Sequence, residues 1–252
     1  PGPYVFWLQA RIHGNELHST EAALQILRYL AGGAPDARLI REQLTVVVVP
    51  LYNPDGAEAN IRQSTTPLRI DLNRDWENFA QPESRAFWHL FTQVRPTYAL
   101  DLHHMGEAPI VAGTDDLNQF QIGARSIDPS RMTAAQWQTN RAMAMVSLEA
   151  LDQYGPVNFA RYPIIDITNA VISRMLMGGT APAGETPSAH TVDGAIFYEV
   201  RSVGQKSNGQ LENLFRIPAM AVLVAAADGS LSSQDISGFD ALPFAVQRPC
   251  GV

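Results

Sequence analysis

Four consecutive valines, Val46 to Val49, sit inside the run LTVVVVP at 44–50. β-Branched side chains are stiff and pack well on a pleated surface. A strand without polar alternation has to be covered on both faces, as in the parallel sheets of α/β proteins. The run therefore predicts a central strand. A second apolar run, YVFWLQA at 4–10, predicts another strand buried on both faces. Between them, Leu17, Ala22, Leu24, Ile26, Leu27 and Leu30 recur at helical spacing, and Gly32-Gly33 supplies the stop. This β-α-β order predicts a parallel pair joined by a right-handed crossover.

Further along, Asn53-Pro54-Asp55-Gly56 predicts a turn. Helices are expected over Pro82–Val94, Ala134–Tyr154 and Leu211–Ala227, the last interrupted early by Pro218. Strands are expected at Tyr98–His103 and Ala195–Val200, and long loops over 162–192. No repeat, charge block or linker divides the chain, so 1–252 reads as a single doubly wound α/β domain. Hydrophobic residues make up 46% of the chain and charged residues 17%, which supplies a sizeable core.

Net charge is −7 and the 18 basic residues are scattered, which argues against nucleic acid or an anionic membrane as partner. The best apolar run, Ile217 to Ala227, falls short of the ~18 residues that span a bilayer. Cys250 is the only cysteine, which excludes an internal disulfide and a cysteine-based zinc motif. No signal peptide is visible, since Pro1-Gly2-Pro3 leads straight into a strand; a processed or trimmed chain is the expectation.

Polar residues gather where the expected strands end, which is where open α/β sheets bind ligands. Directly after the first strand come His13-Gly14-Asn15-Glu16. A His and a Glu three apart at a strand-to-helix turn can point at one atom, and both are zinc ligands. The same pair could instead cap the helix. Asp101-Leu102-His103-His104 ends another strand and supplies the second His of a two-His, one-Glu site with a position open for water. Strand alternation puts Asp101 and His103 on one face. His103 is therefore the expected ligand, and His104 a pocket-lining or structural residue. In Asp71-Leu72-Asn73-Arg74 the guanidinium fork and the amide suit a carboxylate, and Asp71 could hold a ligand His through its second nitrogen. Glu199 lies inside the apolar strand AIFYEV. A carboxylate is costly to bury there without a partner, so it is expected to face a site and move protons; pairing with Arg201 is the plainer reading.

HGNE at 13–16, NPDG at 53–56, DLNRDW at 71–76, DLHH at 101–104 and YEVR at 198–201, in this order, resemble the M14 metallocarboxypeptidase family. The wording DLNRDW…PESRAFW is similar to bacterial members. The resemblance implies a mixed, mainly parallel sheet with helices on both faces. It implies one Zn2+ held by His13, Glu16 and His103, Glu199 as general base, and Asn73 and Arg74 docking a substrate carboxylate. It assigns Asp71 to orienting the first ligand His, and Arg62 (or its competitor Arg69) to the scissile carbonyl. A family tyrosine expected about twenty residues before the base is missing from ISRMLMGGTAPAG at 172–184; Tyr162 is the nearest upstream, with Arg174 an alternative. Only twelve residues precede His13, fewer than is usual, as in the deacylase branch or in a truncated chain.

The implied activity is hydrolysis of a peptide bond beside a free carboxylate. The alternatives are a desuccinylase-like deacylase of N-acyl amino acids and an inactive peptide-binding homologue. A monomer that is periplasmic or secreted rather than cytoplasmic is expected.

Overall fold

The computed structural model describes residues 2–65, 68–76, 78–124, 132–163, 171–172, 175, 191–202 and 207–248. Six strands form the main sheet: β1 (Tyr4–Ala10), β2 (Leu44–Val49), β3 (Tyr98–Met105), β5 (Phe120–Gly123), β6 (Phe159–Arg161) and β7 (Gly194–Arg201). Their spatial order is β2-β1-β3-β7-β5-β6. Every neighbouring pair is parallel except β5 and β7. Two short strands, β4 (Ile110–Val111) and β8 (Ala245–Val246), pair antiparallel beside it. Among the described residues the main helices are α1 (Leu17–Leu30), α2 (Pro35–Gln43), α3 (Pro54–Ala59), α4 (Pro82–Val94), α5 (Ala134–Tyr154) and α6 (Asn208–Asp228).

Side-chain alternation divides the core in two. Phe6, Leu8, Leu100, Leu102, Ile196, Tyr198 and Val200 face one side and pack with apolar residues of α1, α2, α5 and α6. Trp7, Ala99 and Ala195 face the other, with Trp76, Phe79, Phe87, Trp88 and Phe91. The Trp7 indole meets Phe87 and Phe91 edge-on, at 5.3 and 5.5 Å between centroids, a favoured aromatic arrangement. Helices thus cover both faces, as expected of a mixed, mainly parallel sheet.

Three expectations need correction. The valine run is not central: among the described residues β2 lies at the end of the sheet, and its valines are half-buried. Composition reports that a strand is covered on its faces, not that both its edges are paired. The Asn53–Gly56 segment is more than a turn. Asn53 caps α3, its side chain accepting from the Gly56 amide at 2.9 Å, with Pro54 at the first helical position. Pro218 does not interrupt the last helix, which runs from Asn208 to Asp228 with that proline buried inside it. Proline removes one amide donor; burial of Leu214, Phe215, Ala219, Val222 and Leu223 holds the helix across it. No described helix is long and apolar enough to cross a membrane. Cys250, Arg174 and most of the expected loop region lie outside the described residues.

Candidate metal centre

The carboxyl ends of β1, β3 and β7 meet on the second face of the sheet. His13 follows β1 in a short loop, Glu16 sits at the N-cap of α1, and His103 points out of β3. The loop is tightly held. Gly14 passes so close to α3 that a Cβ there would lie 2.0 Å from the Gly56 carbonyl carbon. The Gly14 amide donates to the Arg62 carbonyl at 3.3 Å, and the Asn53 side-chain amide donates to the Ile12 carbonyl at 3.2 Å. Asn53-Pro54-Asp55-Gly56 is thus the buttress behind the His13–Glu16 loop.

His13, Glu16 and His103 are buried, at 2, 4 and 3% exposure. One donor atom from each lies within 4.8 Å of the others. His13 Nδ1 is 2.6 Å from Glu16 Oε1, His103 Nδ1 is 3.5 Å from Glu16 Oε2, and the two Nδ1 atoms are 3.3 Å apart. Ligand atoms ~2.1 Å from a tetrahedral zinc stand about 3.4 Å from one another, so the set has nearly the right size. Glu16 Oε2 is buried without a hydrogen bond among the described residues. The remaining ring nitrogens turn outward onto carboxylates. His103 Nε2 is 2.7 Å from Asp101 Oδ2, and His13 Nε2 is 3.3 Å from Asp71 Oδ1. Carboxylates behind both imidazoles fix tautomer and ring orientation, the support that zinc-bound histidines use. The donor chemistry and its backing therefore fit one zinc ion.

The electrostatics point the same way. Burial acts to lower the pKa of His13 and of His103, yet both end raised. Glu16 and Asp71 outweigh burial for His13, and Asp101 with Glu16 does so for His103. Burial acts to raise Glu16 and Asp71, but their contacts with these imidazoles hold both far below the usual carboxylate range. A centre that draws protons onto two buried imidazoles attracts positive charge, which a divalent cation supplies.

Glu199 stands opposite His103 in the β3–β7 register. Burial pushes its carboxyl up to about 7, with the charge of Glu16 adding to the rise and His103, His13 and Arg62 opposing it. Arg62 reaches the same place: its Nε donates to Asp71 Oδ2 at 3.0 Å, and Nη1 lies 3.9 Å from Glu16 Oε1. Its side chain keeps 41% exposure, leaving donor surface at the mouth. Arg69 is exposed and makes no such contact among the described residues. Asn73 and Arg74 lie on a 3-10 turn, Leu72–Arg74, capped by the Asp71 side chain. The Arg74 charge acts on both Asp71 and Tyr162, which places it beside the same site.

His13, Glu16, Arg62, Asp71, His103 and Glu199 are therefore brought into one neighbourhood, with Asn73 and Arg74 on the turn that follows Asp71; Arg69 is not. His104 leaves β3 on the opposite face, where burial lowers it to about 4. Three contributors were not singled out. Asp101 backs His103, and the alternation of Asp101-Leu102-His103 along a strand is the signal that could have found it. Gln121 lies opposite Glu199 in the β5–β7 register. Phe197 packs edge-on against His103 at 6.0 Å and against Tyr162 at 4.8 Å. Gly123 permits this, because a Cβ there would sit 2.0 Å from the Phe197 ring. Tyr162, read only as the nearest upstream tyrosine, thus faces the site; its hydroxyl is raised to about 12, by burial and then by Glu199.

The comparisons with known proteins agree. The sequence profile of the zinc carboxypeptidase family, peptidase M14, matches residues 1–154, more than half of the chain. A probable carboxypeptidase 2 of Arthroderma benhamiae is 36% identical over 97 residues, 38% of this chain and 18% of that protein. Cytosolic carboxypeptidase 1 of Gallus gallus is 38% identical over 77 residues, 30% of this chain and 6% of that protein. The chain therefore matches less than a fifth of the length of these curated relatives. Among solved structures, a metallo-carboxypeptidase from Burkholderia cenocepacia superposes with a TM-score of 0.66 at 19% identity, over 91% of this chain and 58% of that one. Carboxypeptidase A from Helicoverpa armigera gives a TM-score of 0.67 at 13% identity, over 90% of this chain and 62% of that one. With its fold matched by these enzymes and the family profile spanning both histidines of the metal centre, the chain belongs to the zinc carboxypeptidase family, peptidase M14.

Proposed function

We propose that the protein is a zinc-dependent carboxypeptidase that hydrolyses the peptide bond next to a free carboxylate. The observation that carries this reading is the donor set of His13, Glu16 and His103, with Glu199 in register beside His103. His13, Glu16 and His103 would hold one zinc ion, which supplies Lewis acidity and brings water within reach of deprotonation near pH 7. Glu199 takes the proton from the attacking water and returns it to the departing nitrogen. A carboxyl poised near neutrality suits both halves of that transfer. Arg62, half-exposed beside Glu16, donates to the carbonyl oxygen as negative charge develops on it. Asp71 and Asp101 hold the two imidazoles in orientation.

Asn73 and Arg74 dock the substrate's carboxylate, the guanidinium giving two parallel donors. Tyr162, its hydroxyl kept protonated and turned toward the same charges, adds a donor at the rim. Assignment to a bacterial type within the family rests on DLNRDW and PESRAFW alone.

Glu199→Gln keeps the shape of the site and removes the base. The expected result is a loss of at least ~10²-fold in kcat on C-terminal peptides, with zinc still bound. Substantial residual turnover would overturn the role of Glu199. Cleavage of N-acyl amino acids in preference to peptides would overturn the substrate class.

A further inference from the structure

Glu16 and His103 belong to different elements, and the sheet does not by itself fix their separation. Hydrogen bonds between β1 and β3 set β1 against β3. Glu16, however, is the N-cap of α1, beyond the end of β1, with no side-chain capping bond of its own. Beyond the α3 buttress and the Ser19 hydroxyl, which donates to the Glu16 carbonyl at 2.7 Å, one further contact seats the first turn of α1 against β3.

The contact that does so is a stack of three rings on the far side of β3 from the metal centre. His18, in the first turn of α1, lies face to face with His104 of β3, at 5.1 Å between centroids and 17° between planes. His104 lies in turn on Phe215 of α6, at 5.2 Å and 12°. The rings are buried, at 9, 7 and 0% exposure. Asn208, seven residues before Phe215 and so on the same face of α6, meets the other edge of the stack: its Oδ1 accepts from His18 Nε2 at 3.2 Å. Helix α6 therefore holds the stack at two points.

Each imidazole sits next to a proposed metal donor. His18 is two residues after Glu16, and His104 directly follows His103. Two ring nitrogens, His18 Nδ1 and His104 Nε2, are buried without a hydrogen bond among the described residues. An unsatisfied buried nitrogen costs stability, and a benzyl ring would avoid that cost. The rings therefore contribute by stacking between α1, β3 and α6 rather than through those nitrogens.

We propose that His18 and His104 are positioning residues, acting as a stacked spacer that sets the distance between the Glu16 carboxylate and the His103 imidazole and so tunes metal affinity. This rests on the assignment of His13, Glu16 and His103 as the metal donors. Neither ring touches the metal or the substrate. Their effect runs through the backbone of α1 and β3.

The test is zinc affinity by chelator competition, alongside thermal unfolding of the metal-free protein. His104→Ala and His18→Ala are each expected to weaken zinc binding by about tenfold, the scale seen when supporting partners of metal ligands are removed. The double variant loses no more than the larger single loss, since both changes remove one stack. His104→Phe, which restores stacking, recovers most of the affinity. Ile26→Val, a core change on the same helix, lowers metal-free stability without moving zinc affinity. Should His104→Ala fail to fold, Asn208→Ala, at the exposed start of α6, frees the His18 ring without emptying the core and gives a smaller loss in the same direction. Zinc affinity unchanged in the folded variants, with wild type binding zinc, overturns the spacer. Wild type that takes up no zinc overturns the metal-site assignment itself.

Discussion

Glu199 and Asp101 both sit on the site face of the sheet, and their surroundings push them to opposite uses. Asp101 has His103 Nε2 at 2.7 Å and acts as a fixed acceptor. Glu199 has no such ion pair among the described residues, and burial raises it to about 7. Its unfolded carboxyl titrates near the ordinary glutamate value. Between that value and about 7 the native metal-free protein holds a proton that the unfolded chain has released. Stability from this group therefore falls as pH rises through that window. Metal-free Glu199→Gln is expected to melt a few degrees above metal-free wild type at pH 8, the gap closing as pH drops to about 4.5. Thermal scans in chelator across pH check this; a gap independent of pH would show that the carboxyl is not raised. At this scale the sequence was informative for donors and poor for partners. His13, Glu16, His103 and Glu199 announced themselves by residue type and order. Asp101 lay within reach of the local alternation with His103, whereas Gln121 and Phe197 became visible only through strand register, which no local pattern supplies.

The elements around the site divide into those that carry donors and those that hold the carriers still. The 13–16 loop carries two donors, and α3 with its Asn53 cap stands behind it. Asn53 is fully buried and serves two tasks: it caps α3 through Gly56 and donates to the Ile12 carbonyl. Asn53→Ala is expected to destabilise the protein by about 1–2 kcal/mol, read from urea unfolding. Loss of that buttress should also lower zinc affinity; a variant of unchanged stability would show that the cap is dispensable. Long periodic elements were legible: β1, α1, α4 and α5 have the bounds their patterns suggest. Helix α2 was passed over because nine residues with two buried positions give little periodicity. Strands β5 and β6, four and three residues long, were passed over for the same reason, although β5 places Gln121 and Gly123 at the site.

On the scale of the whole molecule, one face of the sheet is packing and the other is packing that turns into chemistry toward the carboxyl ends of its strands. The aromatic cluster of Trp7, Trp76, Phe87 and Phe91 fills the lower part of that second face. Above it the same face bears Asp101, His103, Phe197 and Glu199. A site assembled from β1, β3 and β7 exists only in the folded chain, so a zinc ion held there would bind the native state far better than the unfolded one. Removing it with chelator is expected to lower the melting temperature by roughly 5–11 °C from its value at a hundredfold excess of zinc over Kd, and re-addition restores it. An unchanged melting temperature would count against a resident metal. The fold class followed from strand-and-helix order, whereas edge and centre did not, since pairing is decided by partners distant in the chain. That distance has a further consequence for biogenesis. His13 and His103 are 90 positions apart, so the donors converge only once β3 has docked beside β1. Loading would follow that docking, and an ion seated there would join two remote stretches of polypeptide as a reversible cross-link.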